Sequence, residues 1–119
     1  MNIKALYNLT YGVFKNANCS MCIEQVRREN KFVISFNTTK EIFTKISEYK
    51  DEINAKLNGL DLVWMQDLPR SKKESKVVNT FHVNNFEDPT ERTQLFEHTI
   101  DTLLKMQKVF MEYLQKISQ

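Results

Sequence analysis

Two cysteines, Cys19 and Cys22, have the Cys-x-x-Cys spacing that zinc half-sites and redox-active pairs share. Both kinds of site need two thiolates that converge on one point. The surrounding residues predict a β-strand, in which positions separated by an odd number point to opposite faces of the sheet. We therefore expect two separate free thiols that serve as small, partly apolar side chains.

Three charged residues offer a second candidate site, of the metal-dependent nuclease type. Asp67, Glu74 and Lys76 follow the Asp…Glu-x-Lys order of restriction-type nucleases, in which two carboxylates hold Mg²⁺ and the lysine positions or activates the water. A solvated charged loop is the alternative interpretation, because Glu-x-Lys occurs freely in such loops. His82 and His98 have no nucleophile or acid beside them, which favours surface or hydrogen-bonded histidines.

Basic side chains cluster at two predicted loop tips. The first cluster contains Arg27, Arg28 and Lys31, and the second contains Arg70, Lys72, Lys73 and Lys76. If the two tips meet at one end of the sheet, they form a phosphate-binding surface. Neither cluster contains an aromatic residue, so binding would be directed to the nucleic-acid backbone and would weaken with salt. Charged tips that protect a sheet from edge pairing are the alternative.

The elements that position these residues follow from caps and periodicity. Residues 38–41 are typical of a capping box, apolar residues then recur at spacings of three and four, and Gly59 predicts the end of the helix. We therefore expect one helix over residues 40–58. A second helix begins at Pro89 behind an Asp88 N-cap and continues almost to the end of the chain.

Alternating apolar residues predict about five strands, at residues 9–14, 19–26, 31–37, 60–64 and 76–84. The second and third strands form a hairpin with a four-residue loop at 27–30. This loop length puts Met21 opposite Phe36 and Ile23 opposite Ile34, so that both strands turn their apolar side chains to the same face.

The predicted order is βββ-α-ββ-α, and the predicted fold class is α+β. Each strand has one apolar face, which favours a two-layer sandwich with a largely antiparallel sheet and two helices on one face. We expect Trp64 to be buried against Ile46 and Ile53 of the first helix. The opposite face of the sheet stays open for self-association, and it would carry Val33, Val63, Met65 and Val78.

Composition limits the class of protein. The chain has 119 residues, of which 41% are hydrophobic and 27% charged, and this fits a single domain over residues 1–119. Lys and Arg number 17 against 15 Asp and Glu, so the net charge neither demands nor excludes a polyanionic partner. No apolar run approaches the roughly 20 residues of a membrane span. The first residues do not resemble a secretory signal, so we expect a cytoplasmic protein with no membrane association.

Several stretches resemble a known family. They are residues 24–36, the segment Gly59-x-x-Leu62-x-Trp64 with Leu68-Pro69, and the segment Lys73-x-Ser75-Lys76-Val77. Over roughly residues 9–117 the chain is similar to a bacterial and archaeal domain of unknown function, which occurs alone or on the C-terminal side of restriction-nuclease-like domains. The resemblance implies an accessory module and names no active site.

Three functional hypotheses follow. The first is a non-catalytic interaction or accessory module that binds a protein partner or a second copy of itself. The second is a nucleic-acid-binding protein that uses the two basic tips. The third is a small metal-dependent nuclease that uses Asp67, Glu74 and Lys76. We favour the first hypothesis, in which the protein is not an enzyme, and we expect no cofactor.

Overall fold

The computed structural model describes residues 18–69, 71–82, 84 and 87–117. In this part of the chain, an antiparallel sheet of four strands packs against three helices. The elements are β1 (Cys19–Val26), β2 (Lys31–Thr39), α1 (Lys40–Ser47), α2 (Lys50–Lys56), β3 (Leu62–Met65), β4 (Glu74–His82) and α3 (Pro89–Ile117). The predicted α+β class is confirmed. The strand predicted at 9–14 lies outside the described residues and stays a prediction.

The order of strands in the sheet is β1-β2-β4-β3, and every neighbouring pair is antiparallel. The β1–β2 hairpin has the predicted register, with Met21 opposite Phe36 and Ile23 opposite Ile34. Its loop has the predicted four residues, a 3₁₀ turn over Arg27–Glu29 followed by Asn30. The φ angle of Asn30 is 49°, in the left-handed region that asparagine tolerates better than most residues.

The prediction of one continuous helix over residues 40–58 is wrong, because the chain forms α1 and α2 with a turn at residues 48–49. The N–H groups of Glu48 and Tyr49 bond to carbonyls three residues back, at 3.3 and 2.8 Å, and such tight bonds end an α-helix. The Ser47 hydroxyl donates to the Phe43 carbonyl at 2.7 Å, a contact that often bends helices. The apolar spacing continues across the turn, so periodicity alone does not reveal it.

Side-chain caps confirm both predicted helix starts. Thr39 is the N-cap of α1, and its hydroxyl accepts a hydrogen bond from the N–H group of Ile42 at 3.4 Å. At the start of α3, the Asp88 carboxylate accepts from the N–H groups of Thr90 and Glu91 at 3.0 and 3.3 Å. Each cap satisfies N–H groups that the first turn of a helix leaves without a partner.

The hydrophobic core lies between the sheet and the helices. Near its centre, the Phe36 ring of β2 stacks on the Phe110 ring of α3 with centroids 4.4 Å apart. Trp64 differs from the prediction, because it is half-buried at the border of this core. Its ring packs against Phe43 at 5.9 Å, and its Nε1 donates to the Asn54 side chain at 3.1 Å. The indole N–H needs a polar partner, which keeps Trp64 at the border.

Helix α3 runs along β2 and has 29 residues. At its N-terminal end, the Phe96 ring lies 6.5 Å from the Phe32 ring of β2. On the flank that faces β4, His98 packs edge-on against Phe81 at 4.8 Å. Among the described residues, no helix combines the length and the apolar character needed to cross a bilayer.

Candidate functional site

The two cysteines lie on opposite faces of β1, as predicted. Cys19 is 1% exposed and belongs to the core, where its Sγ lies 3.3 Å from the Thr38 hydroxyl. Cys22 is half-buried on the face of the sheet away from the helices. Burial raises the pKa of both thiols, and the nearby Glu24 carboxylate raises the pKa of Cys22 further while Lys76 lowers it. Two separated thiols that favour the protonated form cannot act as a thiolate pair.

Of the three nuclease-like residues, Asp67 forms an ion pair with a lysine outside the predicted set. Asp67 is 90% exposed, and its carboxylate lies 2.7 Å from the ammonium of Lys40. That ammonium also donates to the Gln66 carbonyl at 2.9 Å. Glu74 is exposed at the start of β4, and Lys76 is half-buried two residues further along. The described residues contain no group of three His, Cys, Asp or Glu side chains placed to hold a metal ion.

Strand pairing separates the two basic clusters. In the β2–β4 ladder, Lys31 pairs with His82 at one end and Thr39 pairs with Glu74 at the other. The hairpin loop at 27–30 therefore lies at one end of the sheet, and the β3–β4 loop lies at the opposite end. Nine strand residues at about 3.3 Å each place the ends roughly 25–30 Å apart. The two tips do not form one phosphate-binding surface.

At the hairpin end, the positive charge is partly balanced. The ammonium of Lys31 lies 3.4 Å from the Glu29 carboxylate, while Arg28 is exposed. The side chain of Arg27 lies outside the described part of the chain. This end offers a small basic patch with an acidic residue inside it.

At the opposite end, Lys72 and Lys73 are exposed. Within the described residues, neither of them has an ion-pair partner. Lys76 is half-buried on the face of the sheet away from the helices, and Arg70 lies outside the described residues. This end therefore keeps two solvated positive charges.

The side of the sheet away from the helices carries an apolar surface, here called the sheet face, formed by Cys22, Val33, Val63, Met65 and Val78. Strand pairing aligns Cys22, Ser35, Val78 and Val63 in one row across all four described strands. Val78 is only 8% exposed, whereas Val63, on the edge strand β3, is 53% exposed. In the described part of the chain, no helix packs on this face.

A second surface, the α2–α3 groove, was not predicted from the sequence. It has a volume of about 450 Å³ and lies between the end of α2 and the middle of α3, lined by Lys56, Leu57, Asn58, Leu60, Lys105, Lys108, Val109 and Glu112. The spacing of three and four between Lys105, Lys108 and Glu112 places them on one side of α3, a signal that the sequence does contain. Lys56 lies on α2, and it joins these three residues only because α2 packs against α3.

An ion pair crosses the α2–α3 groove, and the Lys56 ammonium of that pair lies 5.1 Å from the Tyr113 ring. Lys56 and Glu112 approach to 2.7 Å across the groove. Their hydrogen bond raises the pKa of Lys56 and lowers the pKa of Glu112. The ammonium of Lys116 lies 4.6 Å from the Tyr113 ring and 5.9 Å from the Tyr49 ring. Tyr113 is fully buried, and its hydroxyl has no hydrogen-bond partner of good geometry among the described residues. The hydroxyl nevertheless lies close enough to Lys56 to raise the pKa of that ammonium.

Comparison with known protein families gives one match. The model of a family described as Domain of unknown function (DUF4268) matches residues 7–114. The chain belongs to this family. No curated protein and no solved structure matches the chain. The match confirms the resemblance at the level of a domain of unknown function, and the family description names no substrate, ligand or partner.

The cysteines, histidines and nuclease-like residues that the sequence offered as candidate catalytic or metal-binding groups do not form one site in the described residues. The cysteines point to opposite faces, and Asp67 binds a lysine. His82 is exposed at the end of β4, and His98 packs on a phenylalanine ring. What the described residues do bring together are two surfaces suited to contact, the sheet face and the α2–α3 groove.

Proposed function

We propose that this domain is a non-catalytic interaction module and that its sheet face binds a second copy of the chain. The exposure of Val63 carries the proposal, since this apolar side chain is 53% exposed beside the buried Val78. A contiguous apolar surface on a sheet is a common site of protein contact. The proposal includes the accessory role beside a restriction-nuclease-like domain that the family resemblance implies. It also includes the cytoplasmic location expected from the sequence.

The charges around the sheet face favour a second copy as the partner. Glu24 and Lys76 lie on the same face of the sheet as Cys22, on opposite sides of the row that contains Cys22 and Val78. Both lie close enough to Cys22 to change its pKa, which Glu24 raises and Lys76 lowers. In a two-fold contact the same surface meets itself. Each Glu24 can then lie against the other copy's Lys76 while the apolar side chains of the sheet face, with Val63 the most exposed, pack together.

Sedimentation equilibrium over a wide concentration range tests this proposal. Wild-type protein should dimerise, and Val63→Lys should weaken the dimer by at least about tenfold, because it buries an unpaired charge in the contact. Leu104→Lys is the matched control, since Leu104 is also 53% exposed but lies on α3. A wild-type monomer at high concentration, or equal effects of both substitutions, would show that the sheet face is not the dimer contact.

A second candidate function is electrostatic binding of nucleic acid at the β3–β4 end of the sheet. The exposure of Lys72 and Lys73 without ion-pair partners in the described residues favours it. Binding through phosphates would weaken steeply with salt and show no base preference. Filter binding of duplex and single-stranded DNA at two salt concentrations provides the test. Replacing both lysines with glutamine should lower the slope of log affinity against log salt by roughly one for each phosphate that the protein no longer neutralises.

A further inference from the structure

The α2–α3 groove combines an apolar floor with a positive rim. Leu57 is buried, and Leu60 and Val109 are half-buried, so the floor is formed by aliphatic side chains. The rim consists of the exposed side chains of Lys56, Lys105 and Lys108 together with Glu112. This surface lies in the helical layer, away from the sheet face.

The balance of charge in the groove leaves two lysines for a ligand. Glu112 is the one acidic residue among the described lining residues, and it pairs with Lys56 at 2.7 Å. Lys105 and Lys108 have no ion-pair partner in the part of the chain that the structure describes. The hydrogen bond from Lys56 lowers the pKa of Glu112, and the positive charges of Lys56, Lys116 and Lys108 lower it further. The groove therefore has more positive charge than its own acid can balance.

We propose that the α2–α3 groove binds an acidic amphipathic segment of a partner protein. Its aliphatic side chains would cover Leu57, Leu60 and Val109, and its carboxylates would pair with Lys105 and Lys108. Residues 105–112 of α3 span about 10 Å, close to two helical turns, so a short helical segment matches the groove in length. Nucleic acid fits less well, because phosphates alone would leave the aliphatic floor uncovered.

Within this site, Glu112 acts as an internal competitor of the ligand. Its carboxylate neutralises Lys56, which would otherwise pair with a carboxylate of the incoming segment. Removal of the Glu112 charge should therefore tighten binding of an acidic ligand. A gain of affinity of this kind separates a specific site from general loss of structure, which can only weaken binding.

Fluorescence anisotropy with labelled synthetic peptides tests the proposal. The probe is a peptide of about 15 residues, about four helical turns, with leucine on one face and glutamate on the other. Wild-type protein should bind it at low salt, and Lys105→Gln with Lys108→Gln should weaken binding by about tenfold. Glu112→Gln should tighten binding by about two- to fivefold.

Matched controls address charge, apolar contact and location. Lys72→Gln with Lys73→Gln removes the same charge at the end of the sheet and should leave peptide binding unchanged. A peptide with serine in place of leucine should bind at least about tenfold more weakly, because it cannot cover the floor. Val63→Lys should leave peptide binding unchanged, so this test is independent of dimerisation through the sheet face.

Three results would overturn the proposal. The first is no binding of the acidic peptide at low salt. The second is equal binding of the serine peptide or of an oligonucleotide of equal charge, which would indicate a simple polyanion surface. The third is an equal loss of affinity in the Lys72 and Lys73 variant, which would place the ligand elsewhere.

Discussion

Replacing Asn79 with valine should stabilise the fold. Asn79 is 3% exposed at the centre of β4, on the face of the sheet that the helices cover. In the neighbouring strands it pairs with Ile34 and Leu62, so an amide occupies one position of an otherwise aliphatic row. Its Nδ2 is buried and has no hydrogen-bond partner in the described part of the molecule.

The expected gain follows from the cost of that unpaired donor. A buried polar group without a partner costs about 1–3 kcal/mol of stability, and valine is also favoured over asparagine in a strand by up to about 1 kcal/mol. Valine is slightly bulkier, so part of this gain is lost to rearrangement of its neighbours. We expect a net increase of about 1–2 kcal/mol in the free energy of unfolding. For a domain of this size, the melting temperature should rise by roughly 3–10 °C.

Urea denaturation followed by circular dichroism measures this change, and the slope against denaturant should stay constant. Asn37→Val is the matched control, because it makes the same substitution in the neighbouring strand β2. Asn37 is half-buried on the sheet face, and its Nδ2 donates to the Ser35 hydroxyl at 3.2 Å, so its replacement should bring no gain. A loss of stability in Asn79→Val, or an equal gain in Asn37→Val, would refute the reasoning.

Three further predictions concern buried or half-buried polar groups. Tyr113→Phe should raise the free energy of unfolding by less than about 1 kcal/mol, because the gain from removing a buried hydroxyl without a hydrogen-bond partner is partly offset by the loss of its favourable contact with the Lys56 ammonium; a loss measured by urea denaturation would show that the contact with Lys56 is the larger of the two effects. The raised pKa values of Cys19 and Cys22 mean that the folded state holds thiol protons that the unfolded state releases. The contribution of the two thiols to the free energy of unfolding should therefore be fully present below the unfolded thiol pKa of about 8.5. It should fall as pH rises above that value. Cys22→Ala should reduce that fall, whereas an unchanged pH profile would contradict the assignment. In native protein, Cys22 should react with a thiol reagent faster than Cys19, which is 1% exposed.

Local rules were enough to predict several features of the chain from its sequence. The hairpin register between Ile23 and Ile34 follows from a period of two and a loop of four residues. The start of α3 follows from Asp88, because the unpaired N–H groups of a first turn need a nearby acceptor. The divergence of Cys19 and Cys22 follows from the alternation of a strand. In each case, the residues that decide the outcome are close in sequence or directly paired in one hairpin.

Only the tertiary structure decided how distant segments meet. Antiparallel pairing of β2 with β4 puts the two basic tips at opposite ends of the sheet, and this pairing joins residues more than forty positions apart at its centre. The contact of Lys56 with Glu112 forms the α2–α3 groove across 56 positions of sequence. The turn at residues 48–49 divides a helix whose apolar spacing is unbroken. These features depend on which faces pack together, and the same local periodicity is compatible with many such packings.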